Sequence, residues 1–291
     1  MPMTFRAKEI IKLKKSCKQI KLKEFKVKKP AIVSQAKTIT KTLKPFLKEI
    51  KKGDSVLVKP NINSDDVYPG TTRPEGLKEL IKLLKRKGAK VTVGDMSSAF
   101  WSHTSVCSET VGLKQVCDSE KVPLTFFDDG EWVNVKIPGT SLKSIWLTSE
   151  LCKHKHLINL AVLKTHRMAD FTLSLKNLMG LLHMRTRMRM HARLLKQRIG
   201  EFNKALNPLV NIIDGTKCFI DGGPDKGELR SPGVILASKD RVALDVNCIR
   251  ILQELGSKPL KNLNPWTHPQ IKHAVKHGIG VSKDADIKLI N

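Results

Sequence analysis

The sequence places polar side chains directly after each of four short apolar runs. These side chains are Lys59 and Asn61, then Asp95, Ser97 and Ser98, then Lys164, Thr165 and His166, and finally Asp214. Lysine ammonium groups suit a carboxylate or a phosphate, to which a threonine hydroxyl and backbone N–H groups add directional hydrogen bonds. Histidine can donate or accept a proton near neutral pH. The residue types therefore predict a site for a small anionic ligand.

Two of these residues are candidates for catalysis. A lysine that lies beside another cation has a lowered pKa and can act as a base or a nucleophile, which makes Lys164 one candidate. His166 is the other, as a general acid or base. The remaining candidates, for ligand binding, are Lys59, Asn61, Asp95, Ser97, Thr165 and Asp214. The alternative is that these residues form no site. His166 would then be a packed or surface residue, and the others would cap helices or form turns.

The apolar runs before these residues have the composition of strands buried on both faces of a sheet. Residues 55–58 are followed by a helix that begins near Pro74 and ends at Gly88, and then by a strand at residues 91–93. Such a β-α-β unit implies two parallel strands with a right-handed crossover. Because parallel strands deliver their following loops to one edge of the sheet, the polar side chains are expected to converge there. The predicted fold class is α/β, a mostly parallel sheet flanked by helices, in one or two lobes.

The rest of the chain fits the same pattern. We predict an N-terminal basic arm or edge strand at residues 1–30 and a single α/β domain at residues 31–291. Within the domain, helices are predicted at residues 33–50, 173–183, 241–255 and 269–277, and strands at residues 157–162, 209–213 and 234–237.

Several motifs resemble those of a known family, the one called domain of unknown function 362. They occur in the family's order at residues 56–61, 71–74, 88–95, 163–166, 172–180, 213–215, 233–240 and 243–245. The resemblance covers residues 53–282 and implies an α/β domain, but it implies little about activity. Many relatives carry ferredoxin-like cysteine clusters and are labelled iron–sulfur proteins.

The motif at residues 172–180 adds Lys176 and Asn177 to the candidate ligand-binding residues. The segment is rich in leucine, so a lysine within it needs a partner or must reach a polar edge. Lys176 is therefore either a further cation facing the site or the partner of an acidic residue such as Asp170 or Asp214.

Residues 183–193 form a basic stretch in which arginine and methionine alternate. The alternation suits a strand or a mobile lid that closes over an anionic ligand or touches a nucleic-acid backbone. A solvated basic loop is the alternative. His183 and His191 alone are too few ligands for zinc, and no metal-binding residues are predicted.

The charge balance favours anionic partners. The chain has 53 Lys+Arg against 27 Asp+Glu, a formal net charge of +26. Such a charge attracts polyanions, so nonspecific nucleic-acid binding is an alternative function. Aromatic residues make up only 5% of the chain, which disfavours extensive stacking on single strands.

The cysteines are scattered, with no C-x-x-C pair among the 6 present. Without a ferredoxin-type motif, the expected state is free thiols, and the cofactor is unknown. A third candidate function, a metal or iron–sulfur redox protein, would require an iron–sulfur partner protein or unusual ligands. The sequence has neither a membrane-length apolar run nor a signal-peptide core, so we predict a cytoplasmic protein with no membrane partner.

Overall fold

The computed structural model describes residues 13–16, 18–20, 25–98 and 101–291. Much of the predicted N-terminal arm therefore lies outside the described residues. In the described part of that segment, Lys15 forms an isolated parallel bridge with Trp132.

The strands and helices alternate along most of the chain. The strands are β1 (Ala31–Ala36), β2 (Ser55–Lys59), β3 (Lys90–Asp95), β4 (Leu124–Phe126), β5 (Trp132–Ile137), β6 (Lys143–Thr148), β7 (His156–His166), β8 (Asp170–Thr172), β9 (Val210–Phe219), β10 (Leu229–Arg230), β11 (Val234–Ser238) and β12 (Ile287–Ile290). The α-helices are α1 (Ile39–Leu43), α2 (Pro74–Arg86), α3 (Thr104–Thr110), α4 (Leu113–Ser119), α5 (Ser174–Asn177), α6 (Met184–Ala192), α7 (Leu195–Phe202), α8 (Arg241–Glu254) and α9 (Pro269–Lys276).

A ten-stranded sheet forms the centre of the fold, with the main order β12-β1-β11-β9-β7-β2-β3-β4. The strands from β9 to β4 are parallel to their neighbours, whereas β11 is antiparallel to both β9 and β1. Strands β8 and β10 add antiparallel pairs to β7 and β9, and β5 and β6 form a separate hairpin. The prediction of an α/β fold with a mostly parallel sheet is confirmed.

Both faces of the sheet are buried, which explains the continuous apolar runs. In β2, Val56 and Val58 pack with helices α1 to α4, while Leu57 packs on the opposite face in the core shared by helices α5 to α9. Each fully buried aliphatic side chain of this kind contributes about 1.5–3 kcal/mol to folding. The two layers of helices fix the sheet edge that carries the candidate residues.

The structure differs from the predicted elements in three segments. Residues 31–36 form a strand instead of the start of a helix, because pairing with β11 and β12 satisfies their backbone. The predicted helix at residues 173–183 is only α5 followed by a 3-10 turn at Leu178–Leu181. The basic stretch is the helix α6, in which the His183 side chain accepts the Arg185 N–H at the N-terminus.

The crossover helix α2 forms as its sequence predicts. Pro74 occupies the first turn, where a missing N–H costs nothing, and Gly88 follows the helix with a φ of 74°. Within the described residues, no helix is both long and apolar enough to span a bilayer.

Candidate functional site

A cavity of about 340 Å³ opens at the carboxyl ends of β2, β3 and β7. Helix α6 and the turn at Leu178–Leu181 contribute further lining residues. The structure brings together seven of the predicted site residues here, namely Lys59, Asn61, Asp95, Lys164, His166, Lys176 and Asn177. Convergence of strand ends therefore places them in one pocket, although their roles stay predictions.

Three predicted residues do not line the pocket, because their polar atoms bond elsewhere. The Ser97 hydroxyl donates to the Ser102 carbonyl, and the Thr165 hydroxyl donates to the Phe219 carbonyl. Asp214 accepts hydrogen bonds from the Arg73 guanidinium and the Tyr68 hydroxyl. These residues hold the surrounding loops in place.

The floor of the pocket contains a buried ion pair. The Lys59 ammonium lies 2.9 Å from an Asp95 carboxylate oxygen and also donates to the Pro60 carbonyl and the Asn177 side chain. The same carboxylate accepts the Ile62 N–H at 2.8 Å. Burial lowers the pKa of Lys59 to about 8, although Asp95 opposes this shift. Asp95 thus balances the charge of Lys59.

A row of asparagine side chains runs beneath this pair. Asn211 accepts a hydrogen bond from Asn159 at 3.0 Å, and Asn159 accepts one from Asn177 at 2.8 Å. Asn159 and Asn211 occupy facing positions of the parallel strands β7 and β9. Because unpaired amides are costly to bury, this network fixes the Asn177 side chain against Lys59.

Asp245 of α8 positions the short helix α5. Its carboxylate accepts hydrogen bonds from the Ser174 N–H, the Ser174 hydroxyl and the Leu175 N–H, at 2.9, 2.6 and 3.0 Å. These are the orphan donors that begin a helix. Asp245 therefore determines where α5 presents Lys176 to the pocket.

Lys164 is held rigidly by backbone carbonyls. Its ammonium donates to the Gly70 carbonyl and, at 3.1 Å, to the Pro224 carbonyl. Burial lowers its pKa to about 7, with Asp66 and Asp225 opposing the shift and Lys59 adding to it. Two of its three N–H bonds are satisfied by the protein, and the third is available to the cavity.

Lys176 is the unusual cation of the pocket. Among the described residues, its ammonium has no hydrogen-bond acceptor or acidic partner. Asp170 pairs instead with Lys196, and Asp214 pairs with Arg73, so neither alternative partner is used. Burial, together with the charges of Lys164, Arg187 and Lys59, lowers the pKa of Lys176 to about 7.

Arg187 of α6 supplies the fourth cation. Its guanidinium donates to the carbonyls of Leu182, Ser97, Met96 and Gly180 at 2.9–3.1 Å. It joins α6 to the loop after β3, so the positive edge of the pocket is part of a rigid frame.

Two buried oxygens in the pocket also have no protein partner. The Asn61 side-chain oxygen and the Thr172 hydroxyl make no hydrogen bond with the described residues. Asn61 and Thr172 are each 4% exposed, and both line the cavity. A buried polar atom normally has a partner, so both indicate a hydrogen-bonding ligand or ordered water.

The two histidines of the pocket present opposite hydrogen-bonding groups. The His166 Nδ1 accepts the N–H groups of Met168 and Ala169, so a neutral ring carries its proton on Nε2 and donates from it. The His191 Nδ1 lies 2.8 Å from the Arg187 carbonyl and must donate, which leaves Nε2 as an acceptor. Desolvation lowers the pKa of His166 far below its usual range and also lowers the pKa of His191. Both rings are therefore neutral at pH 7.

Comparison with known proteins agrees with this arrangement of motifs. The sequence profile of the family described as Domain of unknown function (DUF362) matches residues 56–250. The chain belongs to this family. The match confirms the resemblance noted from the motifs.

Two known proteins are similar to this DUF362 member, one in sequence and one in structure. A thylakoid-associated protein of Synechocystis sp. is 31% identical over 264 residues, which cover 88% of this chain and 77% of that protein. The lactate racemase apoprotein from Thermoanaerobacterium thermosaccharolyticum has a TM-score of 0.46 and 13% identity. The matched region covers 78% of this chain but only 59% of that one, less than two thirds of its length.

Sequence reasoning missed several residues that shape the site of this DUF362 protein. Asn159, Asn211 and Asp245 support it from beneath, whereas Arg187 and His191, which frame it, lie in the basic stretch that the sequence analysis placed near the ligand. An asparagine inside an otherwise apolar strand is the signal that could have identified the first two. The pocket also has five methionines in its lining, Met96, Met168, Met179, Met184 and Met188.

The alternative functions receive little support from the contacts of this family member. In the basic stretch and just after it, Arg187 and Arg189 donate to backbone carbonyls and Lys196 pairs with Asp170. Nucleic-acid binding, an iron–sulfur partner and the cytoplasmic location stay predictions.

Gly180 is expected to be intolerant of any side chain. A Cβ at this position would lie 1.9 Å from an Asp95 carboxylate oxygen and 2.6 Å from the Lys59 ammonium. We expect Gly180→Ala to lower the free energy of unfolding by about 1–3 kcal/mol, as overpacking does, measured by urea denaturation. Gly130→Ala is the matched control, because its Cβ would meet its nearest atom at 3.4 Å. Equal stability of the two variants would contradict the close approach at Gly180.

The depressed lysine pKa values predict that stability rises with pH. Lys164 and Lys176 have a pKa of about 7 in the folded chain against an ordinary lysine value of 10.5, so the unfolded chain binds more protons between these values. The free energy of unfolding then increases with pH by up to about 1.4 kcal/mol per unit for each lysine. Denaturation of the wild type and of Lys176→Met between about pH 7.5 and 9.5 tests this. The variant lacks one of the two lysines, so its free energy of unfolding should rise less steeply with pH than that of the wild type. The same slope in both proteins would refute it.

Proposed function

We propose that this protein binds a small organic anion that also carries a hydrogen-bond donor, such as a hydroxylated carboxylate or phosphate ester. The observation that carries the proposal is the Lys176 ammonium, which faces the cavity without an acidic partner among the described residues. Lys164 and Arg187 lie close enough to lower its pKa. An anion would relieve this repulsion and satisfy the free N–H bonds.

The unpartnered oxygens extend the proposal from an anion to a class of ligand. Asn61 and Thr172 offer acceptors within the same cavity as the cations. An inorganic anion without protons satisfies only the cations, whereas a hydroxyl group on the ligand also satisfies these oxygens. The Thr172 hydroxyl can donate or accept a hydrogen bond, whereas the Asn61 side-chain oxygen can only accept one. A substitution at Asn61 is therefore the better test for a hydrogen-bond donor on the ligand.

The methionine lining supports an organic ligand. Methionine side chains are flexible and polarisable, and they adapt to irregular apolar surfaces. They lie beside the cationic edge, so the ligand would place its charged group at Lys176 and its carbon skeleton toward the methionines. A volume of about 340 Å³ suits a small metabolite.

The same geometry supports proton transfer as the chemistry of an enzyme with this pocket. Lys176 and Lys164 would hold the anionic group, which keeps Lys176 protonated, and His166 would donate a hydrogen bond from Nε2. His191, whose Nε2 is an acceptor, is the base at the exposed edge of the pocket. The catalytic roles of Lys164 and His166 thus become anchoring and donation in this proposal.

Matched ligand pairs test the proposal at constant ionic strength. Glycerate and malate carry hydroxyl groups, whereas propionate and succinate are close analogues without them, and sulfate is a non-titrating anion. We expect saturable thermal stabilisation by the hydroxylated acids, by about 2.7 kcal/mol at a hundredfold excess over Kd. We expect weaker effects from the unhydroxylated analogues. Absence of saturable stabilisation by every anion in the panel would overturn the proposal.

Asn61→Ala separates recognition of the hydroxyl group from binding of the charge. The variant should prefer glycerate over propionate less strongly than the wild type does, because one of the two acceptors is lost while Thr172 and Lys176 remain. Undiminished discrimination between these two acids would remove Asn61 from the proposed site and leave the anion site intact.

A further inference from the structure

A second cluster of side chains lies between α7 and α9, away from the pocket. It consists of Glu201 in the last turn of α7, His273 in α9 and His277 directly after α9. One ligand atom from each residue lies within 4.8 Å of the other two. None of the three residues lines the anion pocket.

The close approach of the two helices fixes this cluster. Gly200 precedes Glu201, and a Cβ at Gly200 would lie 2.5 Å from the Gln270 carbonyl oxygen and 2.7 Å from the Ala274 nitrogen. The backbones of α7 and α9 therefore touch at Gly200. His273 and His277 are four residues apart, which directs both rings to one side of the helical turn.

Glu201 is held in a defined orientation. It is 2% exposed, and one carboxylate oxygen accepts hydrogen bonds from the Ser141 N–H and hydroxyl at 2.9 and 2.7 Å. The other oxygen accepts from the Gln197 side chain at 2.7 Å. Metal-binding carboxylates are oriented by such outer hydrogen bonds.

A second, independent observation is the hydrogen bonding of His273. Its Nδ1 is buried and makes no hydrogen bond with the described residues, although it lies 3.7 Å from a Glu201 oxygen.

We propose that Glu201, His273 and His277 form a binding site for a zinc ion. Two imidazoles and one carboxylate are a recurrent zinc donor set that leaves a fourth position for water. Zinc bonds of about 2.0–2.2 Å place tetrahedral ligands about 3.3–3.6 Å apart, so small side-chain rotations close the site. The ion would link α7 to α9 and would bind the buried Nδ1 of His273.

The surrounding charges bear on the affinity of this site. Lys204, Lys272 and Lys276 lie near the histidines and lower their pKa values, so they also oppose a dication. Glu201 is the acidic group of the cluster and supplies the compensating charge. Neutralising it should weaken zinc binding more than removing any one of the three lysines strengthens it.

Metal titration of the full chain tests the proposal. Exposed Cys152 could bind zinc by itself, so the experiment uses a Cys152→Ser background. We expect one zinc ion per chain after dialysis, and Co²⁺ in its place should give visible absorption of a four-coordinate site. His273→Ala and His277→Ala should each weaken zinc binding at least tenfold, and His156→Ala, at a histidine that pairs with Asp54, should not.

Four further variants keep the test decisive. Glu201→Gln should also lose the metal, and Glu201→Asp, which keeps the charge, should retain part of the affinity. Lys176→Met should bind zinc as the wild type does, because the pocket is separate. Absence of stoichiometric zinc in the folded wild type, or unchanged zinc affinity in the His273→Ala/His277→Ala double variant, would overturn the proposal.

Discussion

Replacing Lys176 with methionine is expected to stabilise the protein and to abolish tight anion binding. Methionine has a similar length but no charge, so the variant removes an ammonium that lacks an acidic partner among the described residues. The remaining Lys164 and Arg187 are then relieved of a like charge. At about pH 6.5, where Lys176 is protonated, we expect the free energy of unfolding to increase by about 0.5–2 kcal/mol.

The loss of binding has the same physical cause as the gain in stability. A hydrogen bond to a charged group contributes about 1.5–3 kcal/mol, so anion affinity should fall by about ten- to a hundredfold. Titration with glycerate measures the binding, and urea denaturation measures the stability. Lys82→Met is the matched control, because it removes the same charge from an exposed position on α2.

The two readouts separate a functional cation from a structural one. If Lys176 stabilised the fold through a contact, Lys176→Met would lower stability, as loss of a buried partner does. Greater stability with unchanged glycerate affinity would show that the unpaired charge is unrelated to the ligand. Only the combination of higher stability and weaker binding supports the proposed role.

The sequence was sufficient to predict which strand ends meet. Lys59, Asp95 and Lys164 follow apolar runs, and parallel pairing brings such positions to one edge of a sheet. The site-facing alternative for Lys176 came from a lysine in a leucine-rich segment. Both predictions depend on local sequence and on the topology of β-α-β units. Sequence periodicity indicates both.

Other features depend on contacts that periodicity does not report. Residues 31–36 form a strand because they pair with β11 and β12, which lie about 200 or more residues later in the chain. Arg187 is buried because four carbonyls from separate segments surround it, and the Arg-Met alternation around it does not indicate a helix. Likewise, nothing local distinguishes Asp214, which bonds Arg73, from Asp95, which bonds Lys59.

Asp95→Asn is expected to be the most destabilising of the substitutions considered. The change is nearly isosteric, but it leaves the buried Lys59 ammonium without a counterion beside Lys164, Lys176 and Arg187. Removing one partner of a buried ion pair costs about 3–5 kcal/mol. The amide nitrogen also replaces one of the two oxygens of Asp95, so it faces either the Ile62 or the Met96 N–H with a donor in place of an acceptor. Urea denaturation should therefore show a large loss of stability or no cooperative transition.

Removing the other partner should cost less, because the ion pair is asymmetric. In Lys59→Met, the Asp95 carboxylate keeps the hydrogen bonds from Ile62 and Met96 at 2.8 Å, while the local excess of positive charge falls. The double variant Lys59→Met/Asp95→Asn contains no uncompensated charge at this point and should be more stable than Asp95→Asn alone. Residues in direct contact show coupling energies of about 0.5–3 kcal/mol, so the cycle can resolve this rescue. Additive losses would mean that Asp95 holds the loop through its N–H contacts and not through its charge, and an equal cost for Lys59→Met and Asp95→Asn would contradict the asymmetry of the pair.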